Sequence, residues 1–229
     1  MKITWHGHAF FELETATGMT LAIDPFFNPL TKAKVKDLSP DLVLVTHGHE
    51  DHLGSALELQ ATIVGIYEMA QHCVRAGAKE TVGMNIGGSY KGGGTTITMT
   101  PALHSSGCGS DPKQSPYYGY GGNPVGYVID DGTTRFYHAG DTGLFGDMKT
   151  VIGDLYKPTV AALPIGGFYT MGAEHAAIAA AWLQVQHAIP MHYNTFPPIQ
   201  ADPQVFVKEL GKRSAAKAHV LPVDGSISL

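Results

Sequence analysis

The sequence predicts an α+β or layered α/β fold, and two observations support this prediction. Many segments are typical of β-strands, because they are short and apolar or alternate apolar with polar residues. Most of them come first and suggest a meander, and the later ones are mixed with helical patterns in each half of the chain. Hydrophobic residues make up 44% of the 229 residues, and no low-complexity linker divides them. This composition predicts a sizeable buried core. We therefore expect a single domain over residues 1–229.

The individual elements follow from these patterns in chain order. The helix predicted at 173–186 is the clearest, because it is rich in alanine and contains Trp182. The helix at 203–213 begins with Asp202 and Pro203, a preferred N-cap followed by proline at the first helical position. Strands are predicted near 2–5, 9–14, 19–24, 41–46, 62–66, 95–100, 124–130, 133–138, 158–164, 187–191 and 218–223, and further helices near 53–60, 67–77 and 145–155.

Glycine-rich and unpatterned segments connect these elements. Gly87-Gly88 and the run from Gly92 to Gly94 lie between strands and are predicted to form hairpin turns. The longest unpatterned stretch is 105–123. Loops of this length in compact domains are often binding loops or lids, so we expect this one to take part in binding.

Charge and cysteine content narrow the class of protein. The chain has 15 Lys plus Arg against 20 Asp plus Glu and no basic run, which argues against nucleic acid or an anionic membrane as a partner. Cys73 and Cys108 are far apart in sequence, which favours a reducing compartment over a disulfide scaffold. The first residues lack the apolar stretch of a signal peptide, and no apolar run approaches membrane-spanning length. We expect a cytoplasmic protein that acts on a small molecule. Whether it forms a homo-oligomer stays open.

The most informative segment is His47-Gly48-His49-Glu50-Asp51-His52, directly after the apolar run 42–45. Three imidazoles and a carboxylate within six residues are too many polar groups for one core position. Imidazole together with carboxylate suits Zn, and also Mn or Fe. The segment therefore predicts a metal site in which His47, His49, Asp51 and His52 are ligands. Glu50 is expected to point away from it.

Three further polar residues follow apolar strands elsewhere in the chain. His104 follows the predicted strand 95–100, Asp141 follows 133–138, and His192 follows 187–191. Catalytic groups of layered sheet proteins gather at the edge where strands end and loops begin. Four strand ends that each deliver His or Asp are what a site for two metal ions needs.

This spacing resembles the metallo-β-lactamase superfamily over essentially the whole chain. Within the superfamily the chain is similar to a branch of small metal-dependent hydrolases, which is itself similar to L-ascorbate-6-phosphate lactonase and more remotely to N-acyl-phosphatidylethanolamine phospholipase D. The segments that carry the resemblance to this branch are Trp5-His6-Gly7-His8, Ile23-Asp24-Pro25, Ala139-Gly140-Asp141-Thr142 and Met191-His192-Tyr193-Asn194.

The resemblance implies an αββα sandwich, with two mixed β-sheets face to face, helices outside, and the metals at one edge. It further implies how seven ligands are shared between two divalent ions. The first ion would be bound by His47, His49 and His104, the second by Asp51, His52 and His192, and Asp141 would bridge the two.

The residue types also suggest a chemistry. Neutral imidazoles leave a bound metal with net positive charge, so a shared water is acidified toward neutrality and becomes a hydroxide nucleophile. Asp51 can ligate or orient this nucleophile and later pass a proton to the leaving group. Asp24 either caps a turn or accepts an N–H from a ligand histidine. His8 is a candidate substrate contact or proton donor, and Tyr193 with Asn194 could place donors near a developing oxyanion.

We therefore expect a binuclear metal-dependent hydrolase that acts on an ester, lactone or phosphodiester. A non-catalytic metal-binding or regulatory protein, a nuclease and a diiron redox protein are the alternatives. His49 disfavours the redox reading, since flavo-diiron proteins of this fold carry Glu at that position. A small anionic metabolite is the expected substrate, although only Lys91, Lys113 and Arg135 could be nominated to recognise it.

Overall fold

Two seven-stranded mixed β-sheets packed face to face form the body of the protein, as a computed structural model of residues 1–108 and 119–229 shows. Helices flank both sheets, which confirms the expected αββα sandwich. The strands are β1 (Lys2–Trp5), β2 (Phe11–Glu14), β3 (Thr20–Ile23), β4 (Leu42–Leu44), β5 (Thr62–Ile66), β6 (Thr81–Met84), β7 (Ser89–Gly92), β8 (Thr95–Pro101), β9 (Gly107–Cys108), β10 (Gly119–Tyr120), β11 (Val125–Asp130), β12 (Arg135–His138), β13 (Val160–Pro164), β14 (His187–Met191), β15 (Lys217–Ala218) and β16 (Gly225–Ser228).

The helices are α1 (Glu50–Leu53), α2 (Tyr67–Arg75), α3 (Ala173–Leu183) and α4 (Pro203–Gly211), together with a π-helix, Met148–Tyr156. On the first sheet α2 packs against β5 and β6, and on the second sheet α3 packs against β13 and β14. The π-helix and α4 both contact α3. No helix within residues 1–108 and 119–229 is both long and apolar enough to cross a bilayer.

Strand directions bring several loops to one edge of the sandwich. The first sheet has the order β16-β1-β2-β3-β4-β5-β6 and the second β15-β14-β13-β12-β11-β8-β7. Strands β3 to β6 run parallel, as do β12 to β15. Strand β2 is antiparallel to both β1 and β3, so β1 runs in the same direction as β3 to β6. Strand β11 is antiparallel to both β8 and β12, so β8 runs in the same direction as β12 to β15. The carboxyl ends of β1, β3, β4, β8, β12 and β14 therefore lie at the edge expected to carry the site.

Side chains between the sheets hold these edges in register. The rings of Phe11 and Phe136 lie 5.7 Å apart across the interface. The Tyr127 hydroxyl donates to the Val45 carbonyl oxygen at 2.7 Å, which satisfies a buried polar group of each sheet. Residues of both sheets that share this core are fully buried, so the two ligand-bearing edges are held together by apolar packing.

Several predicted boundaries were wrong, and close backbone contacts explain two of them. No helix spans 53–60, because α1 ends at Leu53 and Gly54 turns the chain with φ 42°, at a point where a Cβ would lie 2.5 Å from the Pro25 oxygen. The predicted helix 145–155 is the π-helix. Its Gly153 packs against the Trp182 carbonyl oxygen, 2.6 Å from the position that a Cβ would take.

The strand pattern missed β6, β7, β9, β10 and β16, and the strand predicted at 218–223 overlaps β15 only at Ala218. These strands are short and rich in glycine, serine or threonine, so they carry little apolar periodicity. Gly93-Gly94 joins β7 to β8 as a hairpin, as expected. Gly87-Gly88 connects β6 to β7, which lie in different sheets, so the second hairpin prediction was wrong. Most of the predicted binding loop 105–123, including Lys113, lies outside the described residues.

Candidate metal centre

The seven predicted ligand residues converge at the shared edge of the two sheets, as the strand directions require. Their candidate ligand atoms form three overlapping groups, and within each group all atoms lie within 4.8 Å of one another. All seven residues are buried or half-buried. The groups are His47–His49–His104, His8–Asp51–His52–His192 and His47–His52–Asp141.

The first group joins the loop after β4 to the loop after β8. Nε2 of His47 lies 3.0 Å from Nδ1 of His49, and the two rings meet edge to face. The ring of His104 lies 5.1 Å from that of His47 and 5.2 Å from that of His49. Three imidazoles facing one point are a donor set that Zn²⁺ accepts.

The second group joins α1 to the loop after β14. The rings of His52 and His192 stack with centroids 5.4 Å apart, and Asp51 supplies the carboxylate. His8 belongs to this group by distance, and its ring lies 4.0 Å from that of His192.

Asp141 lies between the two groups. Its Oδ1 is 3.3 Å from Nε2 of His52, and its Oδ2 is 3.0 Å from Nε2 of His192 and 3.6 Å from Nε2 of His104. One carboxylate thus contacts histidines of both groups, which is the position expected of a bridging ligand.

The charges of this centre are strongly coupled. Burial alone would lower the pKa of His52, but the Asp141 and Asp24 carboxylates outweigh it and raise the pKa well above the usual value. Burial would raise the pKa of Asp141, yet His192 and His52 hold it far below its usual range. Burial and the neighbouring His52 both lower the pKa of His47. Without a cation, the site therefore keeps its carboxylate ionised and places a proton on His52.

Unpaired buried atoms show that these residues fit a metal. Within the described residues, Nε2 of His52, Oδ1 of Asp141 and Nε2 of His192 are buried and have no hydrogen-bond partner. Nε2 of His52 and Oδ1 of Asp141 approach to 3.3 Å, but without the angles of a hydrogen bond. Leaving three such atoms unpaired costs free energy, and a shared cation would satisfy all of them.

A hydrogen-bond network behind the centre sets the tautomers of two histidines. Fully buried Asp24 accepts from the Thr46 backbone N–H at 2.8 Å and the Thr46 hydroxyl at 2.7 Å. Asp24 also accepts from Nδ1–H of His52 at 2.8 Å. Since the Thr46 hydroxyl donates to Asp24, its oxygen accepts from Nδ1–H of His47 at 3.0 Å. Each Nδ1 thus keeps its proton, so Nε2 is the nitrogen that would bind a metal, on His52 after the extra proton has left.

His8 is an outer partner of Asp51. His8 is fully buried and lines neither of the two clefts at the site, so it is not positioned to contact a substrate as expected. Its Nε2–H donates to Oδ2 of Asp51 at 3.0 Å, and its Nδ1 accepts from the Thr195 hydroxyl at 3.0 Å. Burial lowers the pKa of His8 to about 4, so the ring is neutral at pH 7. The hydrogen bond from His8 also helps to hold the pKa of Asp51 well below its usual value, although burial opposes this.

Tyr193 and Asn194 are not brought into the site. The Tyr193 ring stacks on Trp5 with centroids 5.5 Å apart and is buried in the core. Oδ1 of Asn194 accepts from the Ala201 backbone N–H at 2.9 Å and so supports the loop that follows β14. The prediction that they supply oxyanion donors finds no support in this geometry.

Three residues at the site have a strained backbone. His8, Asp24 and His192 have φ values of 54°, 48° and 55°, in the left-handed region that residues other than glycine seldom adopt. The tight turns let each side chain face inward directly after its strand. Sequence reasoning had no signal for this strain.

Sequence reasoning also missed residues that support or line the site. Thr46 and Thr195 were overlooked because a threonine beside a motif carries no distinctive pattern. His138, whose role was open, is a structural residue. Its Nε2–H donates to the Ala9 oxygen at 2.9 Å, and its Nδ1 accepts from the Gly140 N–H at 3.1 Å. It thereby ties the two sheets together and supports the turn that carries Asp141. His175 lies away from the centre, in a separate pocket at the start of α3.

Two clefts open onto the metal-ligand residues. The outer cleft has a volume of about 880 Å³ and is lined by Phe26, Glu50, Ser106, Tyr120 and Asn123 among others. The inner cleft has a volume of about 420 Å³ and includes Asp141, Tyr169, His192 and Pro198. Both are also lined by His49, Asp51, His104, Ser105 and Phe196. Glu50 was expected to point away from the site, but it lines the outer cleft.

The layered fold and the clustered donors at its edge define a class of protein, an αββα sandwich with a candidate metal centre. The family model described as the beta-lactamase superfamily domain matches residues 2–192. A UPF0173 metal-dependent hydrolase of Methanopyrus kandleri is 49% identical over 216 residues, which cover 92% of this chain and 91% of that protein. The chain belongs to the metallo-β-lactamase superfamily and is a metal-dependent hydrolase.

Solved structures agree with this assignment. Igni18, a metallo hydrolase from the archaeon Ignicoccus hospitalis, superposes with a TM-score of 0.87 at 41% identity, covering 99% of this chain and 97% of that chain. An isothiocyanate hydrolase from Delia radicum gut bacteria has a TM-score of 0.76 at 20% identity, over 100% of this chain and 99% of that one, and so shows the fold alone. The expected similarity to L-ascorbate-6-phosphate lactonase stays a prediction.

Proposed function

We propose that the centre binds two divalent metal ions, Zn or alternatively Mn or Fe, and hydrolyses an ester, lactone or phosphodiester of a small cytoplasmic metabolite. The observation that carries this proposal is the pair of donor groups joined by Asp141, together with three buried ligand atoms that have no hydrogen-bond partner among the described residues. A single ion would leave one of the two groups unused.

The residues that would hold the ions are those the resemblance implies. The first ion would be bound by His47, His49 and His104 and the second by Asp51, His52 and His192, with Asp141 shared. Two divalent cations would supply Lewis acidity, which acidifies a water held beside them and polarises the scissile carbonyl or phosphoryl oxygen.

The chain itself contributes orientation and proton transfer. Asp24 and Thr46 keep the protons of His47 and His52 on Nδ1, so that each Nε2 is free to act as a ligand. Asp51 borders both clefts and is held through one oxygen by His8. Its other oxygen is free either to ligate an ion or to take the proton that the attacking water loses and pass it to the leaving group.

The clefts would position the substrate beside these groups. Phe196 lines both of them, and its ring lies 6.2 Å from that of Phe26 at the outer cleft. Such apolar walls reduce the access of bulk water and strengthen electrostatic interactions with the reacting group. The absence of a nucleic-acid or membrane partner, the cytoplasmic location and the oligomeric state remain expectations from the sequence.

Metal analysis and turnover test the proposal. Protein purified without added metal should contain about two equivalents of divalent metal per chain. His49→Ala and Asp51→Ala should each abolish hydrolysis of generic ester, lactone and phosphodiester probes while the protein stays folded. His187→Ala is the matched control, because His187 pairs with His219 at the opposite end of β14. One equivalent or none, or full activity in both site variants, would overturn the proposal.

A further inference from the structure

Carboxylates are the fixed charges that the described residues contribute to the two clefts. Among the described lining residues these are Glu50, Asp51 and Asp141, and no lysine or arginine is present. Asp51 and Asp141 belong to the metal donor groups, where bound divalent cations would more than offset their charge. Among the described residues of the clefts, Glu50 is then the one carboxylate outside the donor groups.

Glu50 is available to act on a ligand. It is exposed, and its carboxylate makes no hydrogen bond or ion pair with any residue in the ranges 1–108 and 119–229. It is the first residue of α1, directly between the ligands His49 and Asp51. A charge at the mouth of a cleft with apolar walls acts on any charged group that enters.

Aromatic side chains form much of the remaining cleft surface. Phe26 and Phe196 border the outer cleft, and Tyr120 is 68% exposed there. Tyr169 at the inner cleft is 53% exposed. Ring faces presented in this way bind flat apolar groups, and they attract cations rather than anions.

The basic residues considered for recognition of an anion lie elsewhere. Lys91 is on β7 at the far side of the second sheet, and it lines neither cleft. Arg135 begins β12, at the end opposite Asp141. Its guanidinium donates to the Tyr156 oxygen at 3.1 Å and lies 3.8 Å from the Asp130 carboxylate. Neither residue can bind an anion in the clefts.

We infer that the substrate is an uncharged or cationic ester or lactone that carries a flat apolar group, and that Glu50 is a specificity-determining residue that disfavours anions. The inference rests on the proposed function and narrows it. Of the three bond classes, it retains the ester and the lactone and sets aside the phosphodiester, because among the described cleft residues Glu50 adds a negative charge and no lysine or arginine adds a positive one.

Three esters with the same leaving group and different charges on the acyl tail provide the test. These are p-nitrophenyl butyrate, the p-nitrophenyl hemiester of succinate, and p-nitrophenyl 4-(trimethylammonio)butyrate, with bis(p-nitrophenyl) phosphate as the phosphodiester. The metal-loaded protein should hydrolyse the neutral and cationic esters with higher kcat/KM than the anionic ester, and the phosphodiester most slowly.

Charge variants of Glu50 identify the cause of this order. Glu50→Gln should raise kcat/KM for the anionic ester relative to the neutral one by about threefold to tenfold, and Glu50→Lys by more, mainly through KM. The effect should vanish in about 1 M salt, where charges are screened within about 3 Å. Glu58→Lys is the matched control, because Glu58 is equally exposed but lines neither cleft. It should leave the ratio unchanged.

Binding without turnover gives a second readout. In NMR titrations, benzyltrimethylammonium should bind more tightly than benzenesulfonate, and Glu50→Gln should reduce this preference. Failure to hydrolyse any probe would refute the proposed function, while the titrations still test the charge preference. Hydrolysis that is fastest for the anionic ester, or a preference that Glu50→Gln and salt leave unchanged, would refute the inference alone.

Discussion

Replacing Asp24 with asparagine tests how the hydrogen-bond network behind the metal centre prepares its ligands. The substitution keeps nearly the same shape, and asparagine tolerates the left-handed backbone found there, where φ is 48°. It removes the negative charge and one of the acceptor oxygens. Asp24 accepts three hydrogen bonds, two from Thr46 and one from His52, so asparagine cannot reproduce all of them.

Either orientation of the new amide has a cost. If its NH₂ group faces His52, then Nδ1 of His52 must accept, the ring proton moves to Nε2, and the atom that should bind metal becomes a donor facing Asp141. If the NH₂ group instead faces the Thr46 backbone N–H, two donors meet and a buried N–H is left unsatisfied.

We expect the Asp24→Asn protein to bind Zn about tenfold to hundredfold more weakly, which corresponds to about 1.4 to 2.8 kcal/mol. The metal-free protein should also lose about 1 to 3 kcal/mol of its free energy of unfolding, because a buried donor is unpaired or a charged hydrogen bond is lost. Competition with a chromophoric chelator measures the affinity, and urea unfolding measures the stability.

Asp131→Asn provides the matched control. Asp131 is also a buried aspartate that accepts backbone N–H groups, but it lies in the turn between β11 and β12, at the end opposite the site. The control should lower stability and leave the Zn affinity unchanged. If Asp24→Asn binds Zn within twofold of the wild type, the network does not set the tautomer of His52, and the reasoning is wrong.

Three further predictions concern protonation and the role of one tyrosine. Burial would raise the pKa of Asp131, but hydrogen bonds led by that from the Ala16 N–H lower it to about 2, against about 3.9 in an unfolded chain. Above pH 4 Asp131 should therefore contribute about 2 kcal/mol to the free energy of unfolding, and this contribution should be lost as pH falls through 2. In urea unfolding, the difference in stability between the wild type and Asp131→Asn should disappear at low pH. A difference that does not change with pH would contradict this. Because the pKa of His52 is raised well above its usual value, metal binding should release a proton and should weaken as pH falls from 8 to 6. Calorimetry in buffers of different ionisation enthalpy measures the number of protons released. Proton uptake on metal binding would contradict this prediction. Tyr193→Phe should keep kcat/KM for p-nitrophenyl butyrate within about twofold, whereas a hundredfold loss would restore its role as an oxyanion donor.

The fold and the metal-ligand candidates could be predicted largely from local patterns. The motif from His47 to His52 is continuous in sequence, and apolar runs directly precede His104, Asp141 and His192, so strand ends could be recognised one at a time. The short strands β6, β7 and β16 could not, because each contains glycine or serine and is stabilised by pairing with neighbours rather than by its own periodicity.

Roles that depend on contacts between distant segments could not be read in the same way. The sequence predicted that His8 would be a substrate contact or proton donor and that Tyr193 would supply an oxyanion donor. Packing instead buried His8 behind Asp51 and stacked Tyr193 on Trp5. Both residues lie in or next to tight turns, where a single positive φ redirects the side chains and no residue pattern announces it.

By itself the sequence determined the class of fold, the chemistry of the donors and the strand ends that carry them, because these follow from residue type and local spacing. Only the tertiary structure decided which residues hold the donors in place, which carboxylate sets the tautomer of His52, and that Glu50 lines the outer cleft. Those features arise at the common edge of two sheets that pack face to face, and they join residues far apart in the chain whose distances are set by the shared core.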